Sequence, residues 1–149
     1  EHVAVHGFVQ DILDRLHTAA MQQRVTLRNM VDEELIVRSD QAILGIVVHN
    51  LVANVIKHAP GAEVAVTAES VGQLFRLTVT DTGPGLQPAA LQRVRDLLDG
   101  HGGADRLRSG LGYVIVADMA ALLRARVQVE SAAGQGTQVV VEVLLTDRS

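Results

Sequence analysis

From Val3 to about Gln22, the apolar residues Val5, Phe8, Val9, Ile12, Leu13 and Leu16 recur at helical spacing, which predicts an amphipathic helix. The period then shortens. Val25, Leu27 and Val31 alternate with polar neighbours, as a half-buried strand would, and Leu35–Val37 predicts a second short strand. Ser39 or Asp40 can cap a helix that runs to about Ala59 by accepting a free N–H of its first turn, and Pro60-Gly61 stops it. Ala62–Glu69 and Leu74–Thr80 alternate again, and the turn around Ser70-Val71-Gly72 predicts an antiparallel hairpin. A Gly/Pro-bearing loop, DTGPGL, follows at Asp81–Leu86, and Leu91, Val94, Leu97 and Leu98 predict a short helix. Asp99–Ser109 holds three glycines and little that could pack, so a mobile loop is expected there. A helix is expected from near Gly110 to about Leu123, and Val127, Val129 and Val139–Leu145 close the chain as a hairpin around AAGQGT.

Strands joined mainly as hairpins, with helices between the pairs, predict an α+β fold. We expect a two-layer α/β sandwich whose mixed, mostly antiparallel sheet is covered by helices on one face. The 149 residues are long enough for one sizeable core, so a single domain over 1–149 is expected. Aromatic residues are only 2% against 48% hydrophobic, which makes that core aliphatic. The net charge of -4 argues against a nucleic-acid binder, which needs a clustered basic surface. With no cysteine, disulfides and cysteine-ligated zinc are excluded. No apolar run approaches the ~18 residues of a membrane span. The opening EHVAVHGF lacks the basic stretch and hydrophobic core of a signal peptide.

Three constellations carry candidate chemistry. On the middle helix, Asn50, Asn54, Lys57 and His58 fall on one face, while Ile43, Val47, Leu51 and Val55 lie largely on the other. Asparagine is a poor interior helix former, its carbonyl suits a hard cation such as Mg²⁺, and Lys57 offers a compact charge for phosphate. Alone, this stripe reads better as a solvated helix face. Directly after a strand, Asp81 is an acceptor suited to the exocyclic amine of a purine, and Gly83 and Gly85 let the backbone approach a flat base. Alone, that loop is an ordinary tight turn. Finally, Ser109-Gly110-Leu111-Gly112 stands at the mouth of a helix, where free N–H groups attract anions, although a lone GxG is common.

The order and spacing of the three are more specific than any one of them. HNLVANVIKHAP resembles the N box, VTDTGPGL the G1 box and SGLGYVIV the G2 box of the histidine-kinase branch of the gyrase, chaperone, histidine kinase and mismatch-repair ATPase superfamily. AAGQGTQVVVEVLL is similar to the family's closing hairpin, and the resemblance covers nearly the whole chain. It implies the Bergerat ATP-binding fold, with Mg²⁺ and ATP or ADP as ligands. Asn54 would be the Mg²⁺ ligand, Asn50 would sit beside the phosphates, and Lys57 would contact them, so Asn50 and Lys57 carry the expected catalytic roles. Asp81 would read the adenine amine, with Gly83 and Gly85 shaping that pocket. His58 would lie against the adenine, and Thr137 would support the base pocket. Ser109, Gly110, Leu111 and Gly112 would cradle the phosphates. Residues 87–109 contain no phenylalanine, a departure from the family's F box, and the lid is short.

The resemblance further implies a cytoplasmic sensor histidine kinase domain, with any inner-membrane anchor of a parent protein outside this chain. It would act on its own dimerisation and phosphoacceptor domain, with a response regulator downstream. Of the six histidines, His2, His6, His17, His49, His58 and His101, none stands in the His-Glu/Asp context of an acceptor helix. Phosphoryl transfer is therefore expected to a histidine outside the chain, largely by positioning and charge neutralisation. Position 50 is Asn where ATP-hydrolysing relatives tend to place Glu, so slow hydrolysis is expected. The rival readings are a serine-phosphorylating anti-sigma-type kinase, a nucleotide-binding pseudokinase, and a docking platform that binds no nucleotide.

Overall fold

The computed structural model describes residues 2–100 and 111–145, and for Leu111 and Gly112 the backbone alone. The chain starts in a short strand, β1 (His2–Ala4), and continues into α1 (Val5–Arg15) and α2 (His17–Gln22). The single helix expected over Val3–Gln22 is thus divided twice. Val3 is claimed by a strand because it pairs with Val37 across the sheet, both side chains buried, and the helix breaks at Leu16. There the backbone leaves the helical well at ψ 0°, and one N–H is shared between the carbonyls of Ile12 and Leu13.

β2 (Thr26–Asn29) and β3 (Ile36–Arg38) do not join each other. β3 pairs with β1 in a two-stranded sheet, whereas β2 lies parallel to β4 in the main one. Between them and β4 runs α3 (Gln41–His58), whose N-terminus is capped by Asp40: its Oδ1 accepts from the Ile43 N–H at 3.0 Å. Leu44, Val47, Val48, Leu51, Val52 and Ile56 form its buried stripe. β4 (Glu63–Val71) and β5 (Leu74–Asp81) form the expected hairpin, but the strands pair as far as Val71 and Leu74. The turn is therefore Gly72-Gln73, with Gly72 first and at φ 60°, the placement a tight hairpin with right-handed twist requires. α4 (Pro88–Leu98), α5 (Leu111–Leu123), β6 (Arg126–Ser131) and β7 (Thr137–Leu144) complete the order. Of the loop expected at Asp99–Ser109, Asp99 caps α4 and Gly100 follows at φ 83°; residues 101–109 lie outside the described residues.

The main sheet has five strands in the order β2-β4-β5-β7-β6, parallel only between β2 and β4. One row of side chains points to the helices: Val64 and Val66 of β4, Phe75, Leu77 and Val79 of β5, and Val139, Val141 and Val143 of β7, all buried. They join the α1 and α3 stripes in one largely aliphatic core, in which Phe75 is the largest fully buried side chain. On the opposite face Arg76 spans two strands, bonding Glu142 through Nε at 2.9 Å and Nη2 at 2.8 Å and reaching Glu69 at 3.4 Å. The two-layer arrangement with helices on one face is thus the one the periodicity predicts. Among the described residues no helix is long and apolar enough to cross a membrane.

Because the Asp40 carboxylate serves one of α3's free N–H groups and the rest of the helix is held by packing, Asp40→Ala should cost about 1 kcal/mol. Urea titration should show a lower midpoint with an unchanged slope; a loss several times larger would mean that α3 depends on its cap more than on its buried stripe.

Candidate functional site

In β5, alternate residues share a face, so Asp81 is the next inward position after Phe75, Leu77 and Val79. A carboxylate thus ends an apolar row, at the sheet margin where β5, the C-terminus of α3 and the β6–β7 turn meet. Its register partners are Val64 and Thr137. Burial pushes the carboxyl above its ordinary value of 3.8, and hydrogen bonds from the Gly83 and Thr137 backbones pull the other way. The Gly83 N–H donates to Oδ1 at 2.8 Å.

The loop after Asp81 is fixed by its neighbours. Thr82 exchanges two bonds with Glu63: its N–H donates to the Glu63 carbonyl at 3.0 Å, and its Oγ1 accepts from the Glu63 N–H at 2.9 Å. The Gly134 N–H donates to the Pro84 carbonyl at 2.6 Å. Ser131 is the clip between loop and turn. Its Oγ accepts from the Leu86 N–H at 2.8 Å and donates to the Gly136 carbonyl at 2.9 Å, and it lies 2.9 Å from Thr137 Oγ1. A hydroxyl has one proton, so with Ser131 donating to Gly136 it is Thr137 that donates to Ser131, leaving the Thr137 lone pairs free as acceptors.

Two glycines permit this closeness. Gly85 and Gly136 have φ of 74° and 79°, and a Cβ on either would collide with backbone, at the Ala132 carbonyl and the Asp81 carbonyl respectively. Gly83 is crowded differently: a Cβ there would lie 2.7 Å from the Cβ of Ala59, so the loop rests on the end of α3.

Beside Asp81 opens a cleft of about 290 Å³, lined by Asn54 and His58 of α3, Asp81, Gly85, Arg93 and Val94 of α4, Tyr113 of α5 and Thr137, among others. Its floor is partly apolar, with Val55, Leu86 and Val94, and its polar groups are few, as in sites for flat organic ligands. Burial, and secondly the Asp81 charge, push the Tyr113 phenol up to about 12; its hydrogen bond with the Asn54 side chain works against that shift.

Of the residues singled out in the sequence, the structure brings Asn54, His58, Asp81, Gly85 and Thr137 to one cleft, with Gly83 just behind Asp81. Asn50 and Lys57 are not among its lining. Asn50 donates its amide to the Ile46 carbonyl at 2.7 Å and lines the groove between α1 and α3 together with His49. Lys57 is exposed and faces the side of α3 that packs near α2. The physical reason is angular: residue 58 follows Asn54 by about 40° around the helix and residue 57 precedes it by about 60°, so the cleft covers only half the stripe. Leu111 and Gly112 begin α5, whereas Ser109 and Gly110 lie outside the described residues. Three residues were not singled out. Arg93, the one cation on the cleft wall among the described residues, could have been found from its place beside Ala90 and Val94 on the α4 period. Tyr113, the chain's single tyrosine, stands immediately after the glycine-rich helix start. For Ser131 the sequence offers no comparable signal.

Residues 39–147 match the family of histidine kinase-, DNA gyrase B- and HSP90-like ATPases. The chain is 35% identical over 139 residues to the histidine protein kinase DivJ of Caulobacter vibrioides, covering 91% of this chain and 23% of that protein. It is 26% identical over 147 residues to the sensor histidine kinase AtsR of Burkholderia thailandensis, covering 93% and 24%. The chain therefore spans about a quarter of the length of these relatives. The catalytic domain of histidine kinase ThkA superposes with a TM-score of 0.80 at 16% identity, over 98% of this chain and 95% of that one. Full-length ShkA in complex with AMPPNP gives 0.81 at 24% identity, over 100% and 32%. At such identities the structural likeness speaks for the fold.

Two outcomes test this geometry. Gly85→Ala adds both a strained φ and a backbone collision, whereas Gly134→Ala, at φ 79° with nothing within 4 Å, adds only the strain. Thermal unfolding should therefore show Gly85→Ala destabilised by about 2 kcal/mol or more and Gly134→Ala by clearly less; equal losses would discard the close approach. For Asp81 the folded state holds the proton more tightly than the unfolded chain, so this group's contribution is complete below 3.8 and is lost as pH rises through the higher folded value. Asp81→Asn escapes that loss. Its melting temperature relative to wild type should be higher near neutral pH than below pH 3.8, and a pH-independent difference would contradict the burial of this carboxylate.

Proposed function

Because this chain belongs to the family of histidine kinase-, DNA gyrase B- and HSP90-like ATPases, we propose that it is the nucleotide-binding catalytic domain of a sensor histidine kinase. In this reading it binds Mg²⁺-ATP and passes the γ-phosphoryl to the imidazole nitrogen of a histidine on an adjacent dimerisation domain, from which a response regulator is then phosphorylated. The single observation that carries the reading is the half-buried Asp81 carboxylate facing a partly apolar cleft. The Gly83 N–H bonds Oδ1 and the Thr137 backbone also bonds the carboxylate, but its two oxygens offer about four acceptor sites, which leaves capacity for the amine of a purine. The free lone pairs of Thr137 supply a second acceptor beside it.

The remaining roles follow from the direction of α3. Its C-terminal end, at Ala59, abuts the Asp81 loop, and Asn54 lies five residues back, about 7.5 Å along the axis. A ligand with its base on Asp81 runs back along α3, so Asn54 meets the phosphates and their cation. Among the described residues no group of three or more His, Cys, Asp or Glu could hold a metal. A Mg²⁺ ion here would be held by the Asn54 amide oxygen and the ligand's phosphate oxygens, and this reluctantly dehydrated cation would keep waters for the rest of its shell. Arg93 offers the cleft wall a positive charge, with no ion pair among the described residues. Asn50 continues the polar stripe one turn farther, and Lys57 would have to swing from its exposed position to join it.

Calorimetric titration with ADP and a non-hydrolysable ATP analogue, with and without Mg²⁺, tests the reading. Wild type should bind both, more tightly with Mg²⁺. Asp81→Asn should weaken ADP binding about tenfold or more, the worth of a hydrogen bond to a charged acceptor, without lowering the melting temperature. If the wild-type chain binds neither nucleotide, the kinase reading is withdrawn in favour of a docking platform.

A further inference from the structure

β6 ends the main sheet, and among the described residues it pairs with β7 on one side only. Strand parity fixes which of its backbone groups face outward. Just past the paired residues the Leu145 N–H donates to the Gln73 carbonyl, so the odd residues of β7 turn their N–H and C=O to β5 and the even ones to β6. Gln138, Val140 and Glu142 therefore bond Glu130, Gln128 and Arg126, and the N–H and C=O of Val127 and Val129 point away from the sheet. The Val129 carbonyl agrees: it accepts from Arg95 of α4, from Nε at 3.3 Å and from Nη2 at 2.9 Å. The same guanidinium stands 3.5 Å from a carboxylate oxygen of Glu130. Beside the strand runs a groove of about 510 Å³, lined on the α4 side by Arg95, Leu98 and Asp99.

An edge of this kind is a template for another strand, and Arg126-Val127-Gln128-Val129-Glu130 is complementary to its own reverse. Laid antiparallel about a two-fold axis at Gln128, two copies set Val127 of each against Val129 of the other. Those are the residues with outward backbone groups, so four hydrogen bonds form. On the exposed outer face Arg126 of each copy then stands opposite Glu130 of the other, two pairs of opposite charge.

We propose that the β6 edge is a self-association surface for a second copy of this chain, held closed in the single molecule by Arg95. The guanidinium occupies two groups that the pairing needs, the Val129 carbonyl and the Glu130 carboxylate, so each copy must release its Arg95 before it pairs. Nucleotide plays no part in this contact.

Sedimentation velocity over a concentration series tests this. Wild type should stay monomeric where Arg95→Ala is largely dimeric, with a dissociation constant lower by about tenfold or more, the worth of one charge-assisted hydrogen bond. Adding Val127→Pro removes an outward N–H that the sheet itself does not use, and should return the variant to monomer. A folded Arg95→Ala that remains monomeric overturns the proposal, as does a dimer unmoved by Val127→Pro. A second measurement leaves Arg95 in place. The chain has no cysteine, so Gln128→Cys puts its only thiol on the two-fold axis. There the two Cα atoms of a non-hydrogen-bonded pair lie about 4.5 Å apart, within reach of a disulfide. Oxidation should give a crosslinked dimer, formed about fivefold more slowly when Arg126→Glu sets like charges opposite and restored when Glu130→Arg is added. Crosslinking indifferent to these charges, or absent, overturns the proposal whether or not Arg95→Ala folds.

Discussion

The arrangement depends on one awkward placement: a carboxylate at the last inward position of a hydrophobic strand. Three residues before Asp81 in the same row are fully or nearly fully buried, and the sheet could have ended there with another valine. Instead the row ends in a group whose charge is costly to remove from water unless it is hydrogen-bonded. The structure meets that cost with backbone. The loop after β5 turns back to offer the Gly83 N–H, β7 offers that of Thr137, and the β6–β7 turn closes against the loop through Ser131. Gly85 and Gly136 are required because two backbone segments must nearly touch for those bonds to form. The cleft is the space left beside this arrangement.

Around it the sheet separates two chemistries by parity alone. The buried inward residues of β4, β5 and β7 are aliphatic apart from Phe75, and they give α3 a dry surface on which its stripe can settle. Outward residues at the same registers include Arg76 between Glu69 and Glu142; its part-buried pair with Glu142 is the closer, and the exposed pair with Glu69 contributes little to stability. The polar residues that face the cleft are thus neither core nor ordinary surface. They sit where the inward face runs out of helix to cover it.

Much of this was legible in the sequence, and the parts that were not share a cause. α3 could be read almost to the residue because its cap, its apolar period and the Pro60-Gly61 stop are all local. The hairpins were legible for the same reason, apart from a turn displaced to Gly72-Gln73. β1 was not, since three residues carry no period and Val3 becomes a strand only through a partner more than thirty positions away. The site divides similarly. Asp81, Gly85 and Asn54 belong to local motifs, and their convergence in one cleft could be anticipated from motif order. Which half of the α3 stripe the cleft covers depends on how α4 and α5 lie over it, and periodicity does not reveal that. Hence Lys57 looked central and Arg93 and Tyr113 did not. Ser131 acts only through residues five and six positions ahead and one forty-five behind, a relation that exists only once the sheet has formed.

The parity of β5 has a consequence for how the molecule is made. A strand that pairs one position out of register turns every side chain to the opposite face. For β5 such a slip would expose Phe75, Leu77 and Val79 and, in the same motion, aim Asp81 away from α3. Misassembly and loss of the cleft are therefore a single event. A wrongly paired chain cannot pass as a competent one: it would show solvent an apolar sheet face, the feature that folding assistants and proteases seize upon. In the nucleotide reading, ligand capture by this cleft would double as an assay of correct strand pairing, and nucleotide, by binding only the properly registered sheet, would select for it during folding.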